Sequence, residues 1–234
     1  MSTVAFSAAE VMPRTLMKTA SLDHCEWTFI KEVMKRDVRP ELLDSLPGDD
    51  PAAIRSRRDL RLINFLMGNE RWIMRQRHDG GIIELGAGSG NLTQQLAGLG
   101  KVTGLDFQEK PEALDVPWLA GDLFRTFSEA QGETVAANLI LHHFEAEGLG
   151  RLGQLIKTRR RLVAVEPWRC CLSLVEGKLL WPFINGVTRH DMMVSIRAGF
   201  QKGELPKLLN LGDEWEWKEE VSLLGGLRVL AWRR

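Results

Sequence analysis

The chain has 234 residues, of which 44% are hydrophobic and 26% charged, and this composition excludes a fibrous or low-complexity protein. Its 31 basic and 31 acidic residues give a formal net charge of zero, so the chain has no overall field that would attract a polyanion such as nucleic acid. No signal-peptide pattern opens the chain, and no apolar run reaches the roughly 20 residues of a membrane helix. The three cysteines have no metal-binding spacing, which indicates a reducing compartment. We therefore expect a cytoplasmic protein without a membrane partner.

The first 77 residues contain helix signals and no strand signal. Apolar spacing predicts one helix over residues 21–34. A second helix is predicted to start after Asp50, with Pro51 in its first turn, and to end at Gly68. A short helical piece around Trp72 leads to the first strand. We expect residues 1–77 to form a helical cap, or lid, over a core made by residues 78–234.

The most informative stretch is Ile82–Asn91, in which apolar residues run into an acid and then into three alternating glycines. It predicts a buried strand, a tight turn and a helix N-terminus, an arrangement that lets a ligand approach the backbone closely. A dinucleotide fingerprint would need a glycine at position 91, which is an asparagine. The stretch resembles motif I of the class I methyltransferases that use S-adenosylmethionine (SAM). The residues in register with that motif are Glu84, Gly86, Ala87, Gly88 and Gly90.

Three further strand ends resemble the later motifs of the same family. The resemblance implies that Asp106, after the second strand, accepts both ribose hydroxyls of SAM, with Phe107 beside it. It also implies that Asp122 holds the adenine amino group and that Leu123 or Phe124 packs on the adenine ring. Backbone groups near Asn138, at the end of the fourth strand, would face the SAM amine. Two roles of the cap remain equally open: it covers the cofactor, or it only packs on the core.

The order of the predicted elements defines an α/β fold. Strands alternate with helices up to residue 166, and the alternating segment 214–221 and the strand after Gly225-Gly226 form a closing hairpin. A doubly wound dehydrogenase would more usually continue with parallel strands. The resemblance therefore implies the Rossmann-like seven-stranded sheet of class I methyltransferases, with an antiparallel last strand and an N-terminal helical cap.

The segment from about 168 to 210 is predicted to form the substrate pocket. It follows the end of a buried strand, where open α/β sheets bind ligands, and it is rich in Trp, Phe and Met. Helical spacing over 192–200 predicts a helix that starts at Asp191. The candidate substrate-binding residues are Trp168, Arg169, Asp191 and Arg197.

A hydroxyl acceptor must lose its proton when it is methylated, and histidine suits that role near neutral pH. The candidate catalytic residues are His142, His143 and His190. Catechol-type methyltransferases bind magnesium through an Asp at the end of the fourth strand and a later Asp-Asn pair, and this chain has neither. We therefore predict no metal ligands.

These observations together predict metal-independent transfer of a methyl group from SAM to a small, largely apolar metabolite, at a hydroxyl oxygen, with S-adenosylhomocysteine (SAH) as the product. Carbon methylation of a quinone- or polyketide-like metabolite, RNA methylation and a non-catalytic partner subunit remain open, as does a nucleotide-linked oxidoreductase. The neutral charge disfavours nucleic acid. The identity of the substrate, the acceptor atom and the oligomeric state cannot be deduced from the sequence.

Overall fold

The computed structural model describes residues 35–234, and the helix predicted over 21–34 lies outside the described residues. The described part contains a seven-stranded sheet with the strand order β3-β2-β1-β4-β5-β7-β6. Strands β1 to β5 pair in parallel, whereas β7 runs antiparallel to both β5 and β6. The strands are β1 Ile82–Leu85, β2 Val102–Asp106, β3 Trp118–Ala120, β4 Thr134–Asn138, β5 Arg161–Pro167, β6 Trp215–Val221 and β7 Gly226–Arg233.

The α-helices of the described residues are mostly short. None of them is long and apolar enough to span a membrane. They are α1 Leu42–Ser45, α2 Pro51–Met67, α3 Asn69–Met74, α4 Asn91–Ala97, α5 Leu123–Thr126, α6 Ala146–Ile156, α7 Cys171–Leu179, α8 Gly186–Ala198 and α9 Leu205–Leu208, with single 3₁₀ turns at Phe127–Glu129, Leu141–His143 and Trp181–Phe183.

The sheet is apolar on both faces because helices cover it on both sides. All four residues of β1 are buried, and the last six residues of β5 are buried as well. One core cluster centres on Phe127, Leu149 and Phe200, and a second, on the other face, centres on Ile73, Leu92 and Leu96. The parallel arrangement of β1, β2, β4 and β5 brings their carboxyl ends to one edge of the sheet.

The predicted start of the helix in the substrate segment is wrong. Helix α8 begins at Gly186, because the side chain of Asn185 accepts hydrogen bonds from the amides of Val187 and Thr188 and so caps the helix. Asp191 therefore lies inside the helix, and it is buried. The spacing argument recognised the second half of this helix and missed its first half.

The described part of the predicted cap is attached to α8. Asp59, on α2, accepts hydrogen bonds from the backbone and side-chain nitrogens of Asn185, at 2.8 and 3.1 Å. The hydroxyl of Thr188 lies 2.9 Å from that of Ser56, also on α2. Helices α2 and α8 thus form one wall beside the carboxyl edge of the sheet.

Candidate active site

The turn after β1 has the backbone of a ligand cradle. Gly86, Gly88 and Gly90 all have positive φ angles, of 62°, 53° and 73°, which favour glycine. A Cβ atom on Gly86 would lie only 2.6 Å from Cγ1 of Ile140, whereas one on Gly88 would meet nothing closer than the Gly86 carbonyl, at 4.0 Å. Gly86 is thus required for packing, and Gly88 leaves open space above the turn.

Asp106 joins this turn to the end of β2. Its Oδ2 accepts a hydrogen bond from the Gly88 amide at 2.7 Å, and its Oδ1 accepts one from the Gln108 amide at 2.9 Å. Phe107, directly after it, is largely exposed, and Ala87 is buried and bonded to the Leu105 carbonyl. The carboxylate predicted to hold the ribose therefore lies beside the glycine turn.

The remaining predicted cofactor residues lie at neighbouring strand ends. Asp122 caps α5 through the Phe124 amide, at 2.9 Å, and Leu123 packs partly against the core. Asn138 ends β4, and its Oδ1 is buried with no hydrogen-bond partner in the described part of the chain. A buried, unpaired amide oxygen is costly, so this atom is a candidate ligand contact.

Glu84 is buried beneath the glycine turn. Its Oε2 accepts a hydrogen bond from the Thr93 hydroxyl at 2.5 Å. Burial raises the pKa of the Glu84 carboxyl to about 8, and the Thr93 hydrogen bond offsets this only in part. In the ligand-free protein this side chain is therefore protonated at neutral pH.

The raised pKa of Glu84 predicts a loss of stability with rising pH. Between the ordinary carboxyl pKa of 4.5 and the folded value of about 8, the folded state holds a proton that the unfolded state has released, so the free energy of unfolding falls. Glu84→Gln should remove up to about 1.4 kcal/mol of this fall per pH unit. Denaturant titrations at pH 5.5 and 8 measure it. The exposed control Glu147→Gln should keep the wild-type slope, and an equally steep slope in Glu84→Gln would contradict the assignment.

A largely apolar cavity of about 570 Å³ begins where β4 ends. It adjoins the glycine turn, because Asn138 and Leu139 line it and the next residue, Ile140, packs against Gly86. Helices α2, α7 and α8 form its walls. Its polar lining includes Glu41, Asn138, His142, His143, Ser173, Glu176 and Ser195.

His142 is held between two carboxylates at the polar end of this cavity. Its Nδ1 lies 2.7 Å from Oε2 of Glu166, and its Nε2 lies 3.7 Å from Oε1 of Glu41. The Glu166 carboxylate also accepts backbone hydrogen bonds from Ile140, Leu141 and His142, at 3.1, 2.7 and 3.2 Å. These bonds fix the 3₁₀ turn that carries the histidine pair.

The two adjacent histidines are in opposite protonation states at neutral pH. The hydrogen bond to Glu166 and the nearby carboxylate of Glu41 overcome the effect of burial and raise the pKa of His142 to about 9. Desolvation, and secondarily the charge on His142, lower the pKa of His143. The two rings lie 4.3 Å apart between centroids. His142 is therefore a cation and His143 a neutral base.

Three residues of this site were not predicted from the sequence. Glu41 lies in the segment assigned to the cap, and its carboxylate also accepts a hydrogen bond from the Ser195 hydroxyl. Glu166 is the penultimate residue of β5, and the acids Glu84 and Asp106 lie in the same way at or next to the ends of β1 and β2. This repeated position of an acid is a signal that could have identified Glu166. Arg36 donates to the carbonyls of Ala198, His142 and Phe144, at 2.8, 3.1 and 2.8 Å, and so supports the histidine turn from behind.

Several predicted site residues lie away from this cavity. His190 is 48% exposed and lies in a separate groove with Arg197, on the outer side of α8. Asp191 is buried and accepts hydrogen bonds from the amides of Leu42 and Leu43, which anchors α1. Neither Asp191 nor Arg197, the two charged residues of α8 that were predicted from the sequence, lines the cavity.

The other two predicted substrate residues are built into the scaffold. Arg169 is buried, and its guanidinium donates to the Gly199 carbonyl at 3.1 Å and to Glu204 at 2.5 Å. Trp168 forms an isolated bridge with Phe200 and packs against the core. Both residues hold the segment that follows β5, and neither of them lines the cavity.

Glu41, His142 and His143 are close enough to share one cation. One ligand atom from each lies within 4.8 Å of the other two. Two imidazoles and a carboxylate suit several divalent transition metals. His142 is, however, already paired with two carboxylates, and a metal would have to displace its proton. The prediction of metal independence therefore stays a prediction.

The strand order, the antiparallel β7 between β5 and β6 and the glycine turn after β1 define the fold of the class I methyltransferases. No protein-family model matches the sequence, and no curated protein sequence matches it.

Solved structures of methyltransferases are similar to this chain in fold. The plantazolicin methyltransferase BamL, in complex with a triazolic desmethylPZN analog and SAH, superposes with a TM-score of 0.66 at 13% identity over 88% of this chain and 98% of that chain. The pyocyanin biosynthetic protein PhzM superposes with a TM-score of 0.57 at 17% sequence identity, over 80% of this chain and 60% of that chain. Human N-acetylserotonin methyltransferase in complex with SAM superposes with a TM-score of 0.52 at 14% sequence identity, over 88% of this chain and 66% of that chain. These low identities establish a common fold.

Proposed function

We propose that the protein is a SAM-dependent methyltransferase that methylates a small, largely apolar metabolite at a hydroxyl oxygen without a metal ion. The observation that carries this proposal is the position of the His142–His143 pair, with Glu41 and Glu166, at the polar end of an apolar cavity. That end adjoins the glycine turn through residues 138–140. A proton acceptor and a cofactor cradle thus meet beside a pocket for an apolar molecule.

The residues at the carboxyl edge of the sheet suit SAM. The open space above Gly88 admits a ligand close to the backbone, and Asp106 offers carboxylate oxygens beside it. The unpaired amide oxygen of Asn138 is available at the boundary between the cradle and the cavity. When bound, SAM supplies a methyl group on a sulfonium sulfur, and the C–S bond electrons remain with the sulfur as SAH forms. BamL and human N-acetylserotonin methyltransferase were solved with SAH and SAM, which supports the same ligand here.

The chain supplies orientation and a base. The acceptor oxygen must lie in line with the methyl group at near-attack distance, and the apolar walls hold the acceptor there. The neutral imidazole of His143 takes the proton that the hydroxyl loses as its oxygen bonds to the methyl carbon. Glu41 then stabilises the imidazolium that forms, and Glu166 keeps the His142 ring and its turn in place.

The alternatives are less well supported by the cavity. RNA methylation would call for basic residues near the reacting group, and no Lys or Arg lines this cavity among the described residues. A non-catalytic subunit has no need of a neutral base facing the cavity. Carbon methylation of a quinone- or polyketide-like metabolite also needs a proton acceptor, so product analysis must distinguish it from oxygen methylation.

Calorimetry and a transfer assay test the proposal. Wild-type protein should bind SAM and SAH, and Asp106→Ala should weaken SAM binding by about 1 kcal/mol or more because it removes charge-assisted hydrogen bonds. Asp122→Ala should also weaken SAM binding, because Asp122 is the predicted partner of the adenine amino group. Labelled SAM with phenolic and polyketide-like acceptors should give an O-methyl product whose yield a chelator leaves unchanged. Unaltered affinity in Asp106→Ala would remove the ribose assignment, loss of activity with chelator would contradict metal independence, and methylation of tRNA instead would overturn the substrate class.

A further inference from the structure

The cavity is polar at the end that meets the sheet and mostly apolar over the rest of its length. Glu41, Asn138 and the histidine pair lie where it meets the sheet. Asn64 on α2 and Ser173 and Glu176 on α7 also line the cavity. Farther out, however, most of the side chains that face it from these two helices and from the residue after α7 are aliphatic. These side chains are Leu60, Ile63, Leu66, Met67, Leu179 and Leu180. A ligand that fills the cavity therefore needs a polar head and an extended apolar body.

The apolar lining continues out of the cavity onto the surface. Leu66, Leu179 and Leu224 line the cavity, and yet they are 51%, 69% and 50% exposed. Leu62 lies one turn before Leu66 on α2, and Val175 lies one turn before Leu179 on α7, and both are exposed as well. Exposed apolar residues that continue from a ligand cavity mark a path that a ligand can follow.

The charges of the cavity restrict the head group. Glu41 and Glu176 contribute carboxylates to the lining, and no Lys or Arg lines this cavity in the part of the chain that the structure describes. Behind the wall, Glu166 pairs with His142, so the cluster of Glu41, His142 and Glu166 carries a net negative charge. A carboxylate on the acceptor would be repelled, and it would lose its hydration with no cation to replace it.

We propose, on the basis of the proposed function, that the acceptor is an uncharged phenol that carries an extended alkyl chain. Its hydroxyl lies at the Glu41–His143 end, and its chain leaves the cavity between α2 and α7, over Leu66 and Leu179. This inference replaces the sequence-based expectation that Arg197 and Asp191 orient the acceptor, since neither residue faces the cavity.

Binding of a homologous series, measured by calorimetry on the full chain in the presence of SAH, tests the tail. Phenols with one-, five- and eight-carbon 3-alkyl chains should bind progressively more tightly, with at least a tenfold gain from one carbon to five, because each buried methylene contributes about fourfold. The ratio between the longest and shortest phenols should fall at least tenfold in Leu66→Glu and Leu179→Glu. Leu99→Glu, an exposed leucine outside the cavity, should keep the wild-type ratio.

An analogue that carries a carboxylate tests the inference that the polar end of the acceptor is uncharged. The 3-octylphenol should bind at least tenfold more tightly than the same phenol with an added ring carboxylate, and Glu176→Gln should narrow that gap. Equal affinity across the chain series would overturn the tail assignment. An unchanged chain-length ratio in Leu179→Glu, together with a dimer-to-monomer change in sedimentation, would show instead that the rim joins two copies of the chain. Because binding is measured without turnover, a tail-dependent series with no methylation of any phenol would contradict the proposed function and leave the binding inference standing.

Discussion

Replacing His143 with alanine should lower kcat for a hydroxyl acceptor by about 10²–10⁴-fold, the usual contribution of a positioned general base. His143 faces the cavity, and desolvation keeps its pKa below the ordinary value, so the neutral imidazole is available at pH 7. SAM affinity should change little, because the cofactor cradle is built from the ends of β1 and β2. Stopped-time assays of O-methyl product at saturating SAM measure the loss.

The matched control is His190→Ala. His190 is the third histidine predicted from the sequence, and it lies in a separate groove on the outer side of α8, so its variant should keep wild-type turnover. A fully active His143→Ala enzyme would remove His143 as the base. A loss of similar size in His190→Ala would show that the groove, rather than the cavity, holds the acceptor.

The pH dependence of the activity should agree with His143 as the base. Activity should fall on the acid side below pH 6.5, as His143 takes up a proton and can no longer accept one. The charges around this ring come from His142, Glu41, Glu166 and Asp44, and the repulsion from His142 adds to desolvation. On the alkaline side, activity should change near pH 9, where His142 loses its proton and the cluster gains negative charge.

The sheet and the cofactor cradle could be predicted from the sequence because their signals are local. A buried strand, a glycine turn and a helix occupy consecutive residues at 82–97, and the acid at 106 follows at the length of one helix and one return strand. The final antiparallel hairpin also shows a local pattern of alternating polar and apolar residues over Trp215–Val221. Each of these features depends on neighbours in the chain, so periodicity and turn chemistry were sufficient.

The proton-transfer cluster could not be assembled in the same way, because its members come from distant parts of the chain. Glu41 and Glu166 are 125 positions apart, and only the packing of α8 and β5 brings both of them to His142. Asp191 and Arg197, which were chosen from the sequence, do not line the cavity for a related reason. A helical pattern shows which residues share a face, but the anchoring of α1 on Asp191 decides which face is turned towards the cavity.

Replacing Glu166 with glutamine should lower the pKa of His142 from its value of about 9, because Glu166 supplies the strongest of the interactions that oppose the effect of burial. The carboxylate accepts from Nδ1 of His142 and from three backbone amides, so the amide of glutamine would place a donor against donors. His142 would then be buried without its main counter-ion. Breaking such a pair should also cost about 3–5 kcal/mol of stability. NMR titration of the imidazole carbons and denaturant unfolding measure the two effects.

The pH dependence of that destabilisation identifies its cause. A folded-state pKa raised from 6.5 to about 9 stabilises the wild type fully below pH 6.5, and this stabilisation is lost as the pH rises through 9. The difference between wild type and Glu166→Gln should therefore have its full size at and below pH 6.5 and should shrink towards pH 9.5. Glu176→Gln, which changes a cavity carboxylate that does not contribute to the pKa shift of His142, should leave that pKa near 9. If the pKa of His142 also stays near 9 in Glu166→Gln, then Glu41 rather than Glu166 is the counter-ion of His142.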